Sequence, residues 1–378
     1  MAVGGIETNL VRLVRALTRR GHVVLVAARP GALTAEISDA GGRLIPLKVR
    51  PRSLSAVFHD RRILRAELAA ADPDVIHVFS ASAAVLTTLA RWPRFLRRRH
   101  HHAPVISTVM GLDSAADGSP LLTLARVAVT AVGSTRMIIV SPAIGETVRR
   151  LPIPRSRLIH GLVAGVEVPA DEPTEEVRLQ VRRELGLPAG CRLVLTIGNL
   201  EARKSHELFI AAADLLVQDG VTAVFAIVGE GYQRAELELE IQRRSLEGRV
   251  RLLGERRDII PLLAACDVYV RPGVVEGFVG ITVLEAQSIG IPVVGFDTLD
   301  LREAIEQDVS GLLVPNRDIG GMARAIRRLL DDPELRRRLG RAGRDMVRSK
   351  FSLQTIVDNL ESLYQELAGR RGPADEAS

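Results

Sequence analysis

Glu276-Gly-Phe-Val-Gly-Ile-Thr-Val-Leu-Glu285, followed by Ala-Gln-Ser-Ile-Gly290-Ile-Pro-Val-Val294, is the stretch on which the reading of this chain turns. Two carboxylates bracket a glycine-rich turn that runs into an apolar helix, and a buried strand follows. A turn that opens a helix presents free backbone N–H groups and a partial positive charge, which suits a phosphate. Ionised carboxylates only accept hydrogen bonds, which suits hydroxyls. A ligand that carries both a phosphate and many hydroxyls is a nucleotide sugar.

The same strand–turn–helix grammar extends in both directions. Towards the N-terminus, apolar runs at 193–197, 223–228, 250–253 and 268–271 alternate with helical stretches near 204–218, 233–245 and 259–265. Beyond the turn come a helix over 281–289, strands at 293–296 and 312–314, and helices at 321–330, 333–349 and 353–367. The first half repeats the pattern. Ile6, Leu10, Leu13, Val14 and Leu17 share one helical face, Gly21 caps the helix, and His22–Ala27 reads as a buried strand. Strands at 75–79, 105–109, 137–141 and 158–161 follow. Continuous apolar strands separated by helices imply parallel sheets covered on both faces. The expected fold is α/β: two Rossmann-like doubly wound domains facing across a cleft. Residues 1–168 form the first and 175–350 the second. Pro169–Thr174 is the linker, 351–371 a helix returning to the first domain, and 372–378 a disordered tail.

Composition narrows the classes. The 378 residues are 47% hydrophobic but only 3% aromatic, so two cores built on Leu, Val, Ile and Ala are expected. Cys191 and Cys266 have neither metal-ligand spacing nor a disulfide framework; buried core thiols in a reducing cytoplasm are the expectation. No signal peptide and no apolar run of membrane-spanning length is visible. Residues 1–168 carry a net charge of +12 and the remainder −6. The basic half implies a polyanion, an anionic membrane face or a phosphorylated substrate, but its cations lack interleaved aromatics, so nucleic acid is not expected.

Three further segments fall at strand ends, where open α/β sheets bind ligands. Gly198-Asn199-Leu-Glu-Ala-Arg203-Lys204 leads into a helix, and Lys204 is placed to meet a diphosphate as a point charge, with Arg203 as a second cation. A solvated charged loop explains this piece equally well. Gly229-Glu-Gly231 lets a ligand approach the backbone, or is merely a turn. Gly4-Gly5 before the first helix makes a phosphate-tolerant turn, or is a plain helix start. Glu285, one turn into its helix, suits a ribose; Glu276 suits the transferred sugar. Acidic residues near a helix N-terminus are also a common pattern without function.

As an ordered set these segments resemble the GT-B retaining glycosyltransferases of family 4 (glycosyl transferases group 1) over nearly the whole chain. Gly4-Gly5-Ile6-Glu7, Arg20-Gly-His-Val-Val24, Ile139-Val-Ser141, Gly165-Val-Glu167, Lys204, Gly229-Glu-Gly231, Arg249–Gly254, Ala265-Cys-Asp-Val268, the Glu276–Glu285 segment and Pro292-Val-Val294 carry the resemblance. It implies a UDP-, GDP- or ADP-sugar donor on the second domain and no cofactor or metal. Lys204 and the amides of Gly280, Ile281 and Thr282 face the leaving diphosphate, Glu285 holds the ribose and Glu276 the sugar. The acceptor is a glycan or lipid-linked molecule. Trp92–His102 with Arg61, Arg62 and Arg65 implies peripheral contact with an anionic bilayer, or an ordinary charged surface.

The chain departs from the family at four points. The strand that should precede Gly4 is absent, Asn199 replaces an arginine, and Met110 stands where a histidine is frequent. Val279 lengthens the spacing between the two carboxylates by one residue. These departures raise a catalytically impaired sugar-nucleotide-binding protein as an alternative, beside a sugar-nucleotide epimerase.

Overall fold

The computed structural model describes residues 5–48, 54–91, 103–109, 120–140, 142–161, 164–274 and 279–369. The chain divides into two compact units, 1–165 with 353–378, and 166–352.

The first unit begins with α1 (Gly5–Arg19), β1 (Leu25–Ala28), α2 (Thr34–Asp39), β2 (Arg43–Pro46) and α3 (Leu54–Ala71). It continues through β3 (Ile76–Val78), α4 (Ala81–Arg91), β4 (Val105–Val109), α5 (Pro120–Gly133), β5 (Arg136–Ile139), α6 (Pro142–Arg149) and β6 (Leu158–His160). All pairings are parallel, but the strands form two separate sheets, β1-β2 and β3-β4-β5-β6. β1 and β3 are not paired with each other, and no strand precedes α1 among the described residues. The expected strand at 22–27 starts only at Leu25: Val23 is 91% exposed. β2 has no counterpart in the sequence reading, because Arg-Leu-Ile-Pro offers only two apolar residues and ends in proline, which marks edge strands.

The second unit runs α7 (Glu175–Glu184), β7 (Arg192–Ile197), α8 (His206–Gln218), β8 (Ala223–Val228), α9 (Arg234–Arg243), β9 (Val250–Leu252) and α10 (Ile259–Ala265). β10 (Val268–Arg271), α11 (Ile281–Ser288), β11 (Val293–Phe296), α12 (Leu301–Ala304), β12 (Leu312–Val314), α13 (Ile319–Asp331) and α14 (Pro333–Met346) complete it. Its six strands form one parallel sheet in the order β12-β11-β10-β7-β8-β9. All six residues of β8 are buried, as both-faced coverage requires. Phe209, Phe225, Phe296 and Met322 anchor one core cluster. Helix starts follow capping chemistry: Asp318 accepts from the Gly321 amide at 2.7 Å, and Asp332 accepts from Glu334 and Leu335 with Pro333 in the first turn.

The proline-bearing stretch at 169–174 is not a free linker. Arg344 of α14 donates to the carbonyls of Pro169 (2.8 Å) and Ala170 (3.1 Å) and pairs with Glu172, tying the segment to the second unit. α15 (Leu353–Gly369) packs on α1 in the first unit, where Arg20 pairs with Asp358 and Glu361. The tail at 372–378, the whole of Trp92–His102 and Met110 lie outside the described residues.

Candidate functional site

The chain enters the second sheet at β7, lays β8 and β9 on one side, then crosses back to lay β10, β11 and β12 on the other. The order therefore reverses between β7 and β10. At such a switch point the connections after the two neighbouring strands diverge to opposite faces and leave a crevice at their carboxyl ends. A recess lies there, lined by Thr196, Ile197, Lys204 and His206 from the β7 side and Tyr269, Arg271, Pro272, Gly273, Gly280 and Thr282 from the β10 side.

Lys204 ends a single 3-10 turn (Ala202–Lys204), and Ser205, in the left-handed region at φ 52°, turns the chain into α8. Thus Lys204 precedes the helix rather than starting it. A Cβ on Gly229 would collide with the Gly198 carbonyl oxygen, and one on Gly231 with that of Leu200. These glycines serve the close approach of the loops after β7 and β8, and neither lines the recess. The Gly198 amide donates to Val228 (2.9 Å), Leu200 to Glu230 (2.9 Å) and Gly229 to Gly254 (2.8 Å), so the exits of β7, β8 and β9 are laced into one wall.

On the other wall Gly280 is the N-cap of α11. The first N–H groups of a helix lack intrahelical acceptors, here those of Ile281 and Thr282, and the helix dipole puts partial positive charge on them. The Thr282 hydroxyl is fixed by the Tyr269 hydroxyl at 2.7 Å. Lys204, Gly280 and Thr282, expected from sequence to share one ligand, thus share one recess.

The other expected residues sit elsewhere. Arg203 is half-exposed and donates to Glu201 at 2.8 Å; Asn199 donates to the same carboxylate at 3.3 Å. Burial works against ionisation of Glu201, but Arg203, Asn199 and the charge of Lys204 together hold its carboxyl below the usual range. Ile281 and Glu285 are buried in α11, at 7% and 5% exposure, and do not line the recess. Gly5 begins α1 in the first unit. Glu276 and Gly4 lie outside the described residues.

Sequence reasoning missed Arg271, Tyr269 and His206. Arg271 left a trace: it is a charged residue closing an apolar strand before Pro272-Gly273. It is 4% exposed, donates to Gly273 O and Thr298 Oγ1 (3.1 Å each), and pairs with Asp300. Burial, with the Asp300 charge adding to it, pushes Glu303 of α12 up to about 7. Both cysteines are buried, and burial pushes the Cys266 thiol up. No helix among the described residues is long and apolar enough to cross a membrane.

Two family models match consecutive parts of the chain: Glycosyltransferase Family 4 over 3–163 and Glycosyl transferases group 1 over 177–346. Alpha-D-kanosaminyltransferase of Streptomyces kanamyceticus is 32% identical over 224 residues, 59% of this chain and 58% of that protein. Glycogen synthase of Mycobacterium tuberculosis is 32% identical over 181 residues, 47% of this chain and 43% of that protein. The match thus spans about half the length of these two relatives. The 2-deoxystreptamine N-acetyl-D-glucosaminyltransferase of Streptomyces fradiae is 27% identical across 98% of this chain and 92% of its own. The crystal structure of Anabaena Alr3699/HepE in complex with UDP-glucose shares the fold, with a TM-score of 0.81 over 96% of both chains at 21% identity. With parallel α/β sheets in both units and the two models covering most of its length, the chain belongs to the group 1, family 4 glycosyltransferases, of GT-B fold.

Proposed function

We propose that this chain is a retaining glycosyltransferase that moves a sugar from a UDP-, GDP- or ADP-sugar to a glycan or lipid-linked acceptor. The observation that carries this reading is the convergence of Lys204 with the first residues of α11 on one recess at the switch point. Departure of a nucleoside diphosphate builds negative charge on the phosphate oxygens. A lysine ammonium and preorganised helix amides stabilise that charge without reorganising at the moment of reaction, and they supply it without a metal. The family resemblance gives the ribose to Glu285, although it is buried in α11 outside the recess lining, and the transferred sugar to Glu276. A departing phosphate oxygen takes the acceptor proton on the face the donor leaves, which retains configuration. Two relatives named as transferases of kanosamine and N-acetylglucosamine, and a neighbour crystallised with UDP-glucose, support a nucleotide-sugar donor.

The acceptor belongs to the basic first unit. Peripheral attachment to an anionic bilayer rests on α3, where Arg61, Arg62 and Arg65 accompany Phe58, which is 63% exposed. Co-sedimentation that does not change with the anionic lipid content of liposomes removes this part of the proposal.

A thermal-shift screen against UDP-, GDP- and ADP-sugars tests the donor. A ligand that binds only the folded chain raises Tm by mass action, by about 2.7 kcal/mol of stabilisation at a hundredfold excess over Kd. Lys204→Ala is expected to abolish the shift. A variant that still responds fully rules out the ammonium as a diphosphate ligand.

A further inference from the structure

Among the described residues two cations line the recess, Lys204 and Arg271. They come from the two strands that flank the switch point, one after β7 and one closing β10. The other candidates on the β7 loop are engaged: Glu201 accepts from both Arg203 and Asn199. Arg271 is held differently. Its carboxylate partner Asp300 is 6% exposed and does not line the recess, so the pair presents its cation to the recess and keeps its anion out of the wall. Thr298 Oγ1 and the Gly273 carbonyl fix the guanidinium further.

A buried ion pair is a poor way to join β10 to the loop after β11. Removing two charges from water costs about as much as their attraction returns, and well-packed apolar residues of similar volume hold as well or better. Beside a recess whose opposite wall carries Lys204 and whose rim is a helix N-terminus, a fixed guanidinium has another use. With Nη1 donating to Gly273 O and Thr298 Oγ1 and Nη2 to Asp300, it brings to the recess a positive charge fixed in place, where Lys204 brings one on a flexible stem.

We propose that Arg271 is a diphosphate-binding residue of this site, sharing the charge of the leaving group with Lys204 in the place that Asn199 and Arg203 do not fill. The proposal rests on the reading of the recess as the donor site.

The test is equilibrium binding of UDP, GDP and ADP, and of uridine, guanosine and adenosine, to the full chain and to three variants. Arg271→Gln removes the charge. Arg271→Met with Asp300→Leu removes both charges and leaves no unpaired carboxylate to unfold the loop. Arg271→Lys keeps a cation against Asp300 but loses the bonds to Gly273 and Thr298 that fix the charge beside the recess. Loss of a fixed positive charge beside the diphosphate sets an expected loss of about 10- to 100-fold in diphosphate affinity for the two neutral variants, and a severalfold loss for the lysine, whose charge is less well placed. Nucleoside affinity should not change. A folded neutral variant that binds the diphosphate as tightly as the parent chain overturns the proposal, as does equal loss of nucleoside and diphosphate. If the neutral variants do not fold, the lysine variant decides, and an unchanged ratio of diphosphate to nucleoside affinity overturns the assignment. If the parent chain binds none of the three diphosphates, the donor-site reading fails and this proposal with it. Binding by the parent with no effect of Arg271 leaves the donor site standing and removes only Arg271.

Discussion

A Cβ placed on Gly198 would lie 3.3 Å from Cδ and 3.4 Å from Cε of Lys204, so the lysine stem runs flat across the Gly198 backbone. The bare backbone at 198 is the surface over which the Lys204 stem passes on the β7 side of the recess.

Gly198→Ala and Gly229→Ala should therefore part company. At 198 the neighbour is a flexible stem that can give way, so stability falls by less than about 1 kcal/mol while the donor-induced Tm shift shrinks. At 229 a Cβ runs into the Gly198 carbonyl and φ is +144°, so the backbone has to move. That substitution should cost about 2 kcal/mol or more in urea unfolding. Equal losses for the two variants would contradict this division of roles.

Ser205 links the Lys204 turn to α8 with φ 52° and is 3% exposed. A β-branched residue is a genuine outlier in the left-handed region, so Ser205→Val should destabilise by about 2 kcal/mol, whereas Ser205→Gly should stay within about 1 kcal/mol of the parent. Chemical denaturation of the three proteins measures this directly.

Asp267, 7% exposed before β10, accepts from Arg178 (3.0 Å), Arg192 (3.3 Å), Arg182 (3.5 Å) and the Leu193 amide (2.9 Å). Two of these arginines also bind the carbonyls that end α10: Arg178 those of Ala264 and Cys266, Arg182 that of Ala265. Removing the central carboxylate strands this cluster, and Asp267→Asn should cost about 3 kcal/mol. The cluster lies at the amino ends of the strands, opposite the recess, so nucleotide affinity of the folded fraction should be unaltered. A variant with normal stability would show that the cluster is ornamental.

In the first unit His77 contacts the Tyr364 hydroxyl at 2.7 Å and Thr108 Oγ1 at 2.6 Å and stacks on Phe79. Burial pushes its pKa down to about 3, so the folded chain keeps the imidazole neutral while the unfolded chain protonates it near 6.5. Below that value the unfolded state binds the extra proton. Stability therefore declines as pH falls from 6.5 towards 3, by about 1.4 kcal/mol per pH unit at most. His77→Gln should flatten this slope. The pH dependence of unfolding by denaturant, parent against variant, decides the matter; parallel curves would mean that His77 does not report.

Most of the second unit was legible in the sequence because its strands are continuous apolar runs. β8 reads Ala-Val-Phe-Ala-Ile-Val from Ala223 to Val228, is buried throughout, and has no polar position that would suggest a solvent-facing side. Short, half-polar strands gave no such signal. β2 is four residues with one buried position, and only its pairing with β1 defines it. The residues that hold Arg271 were hidden for a similar reason: Thr298 and Asp300 follow a different strand, and nothing in their local pattern connects them to β10.

From its order of residues alone, the chain determined two alternating α/β series, a lysine after the first strand of the second, and a glycine-capped helix after its fourth. Periodicity and turn chemistry are local properties and can be read in one dimension. The tertiary structure decided which charges face the recess. Arg203 is drawn off by Glu201 two residues away, while Arg271 is held in place by Asp300, 29 residues further along. Both arginines look alike in a string of letters. They differ because a guanidinium goes where its carboxylate partner is, and in the second case the sheet, by setting β11 beside β10, brings that partner within reach.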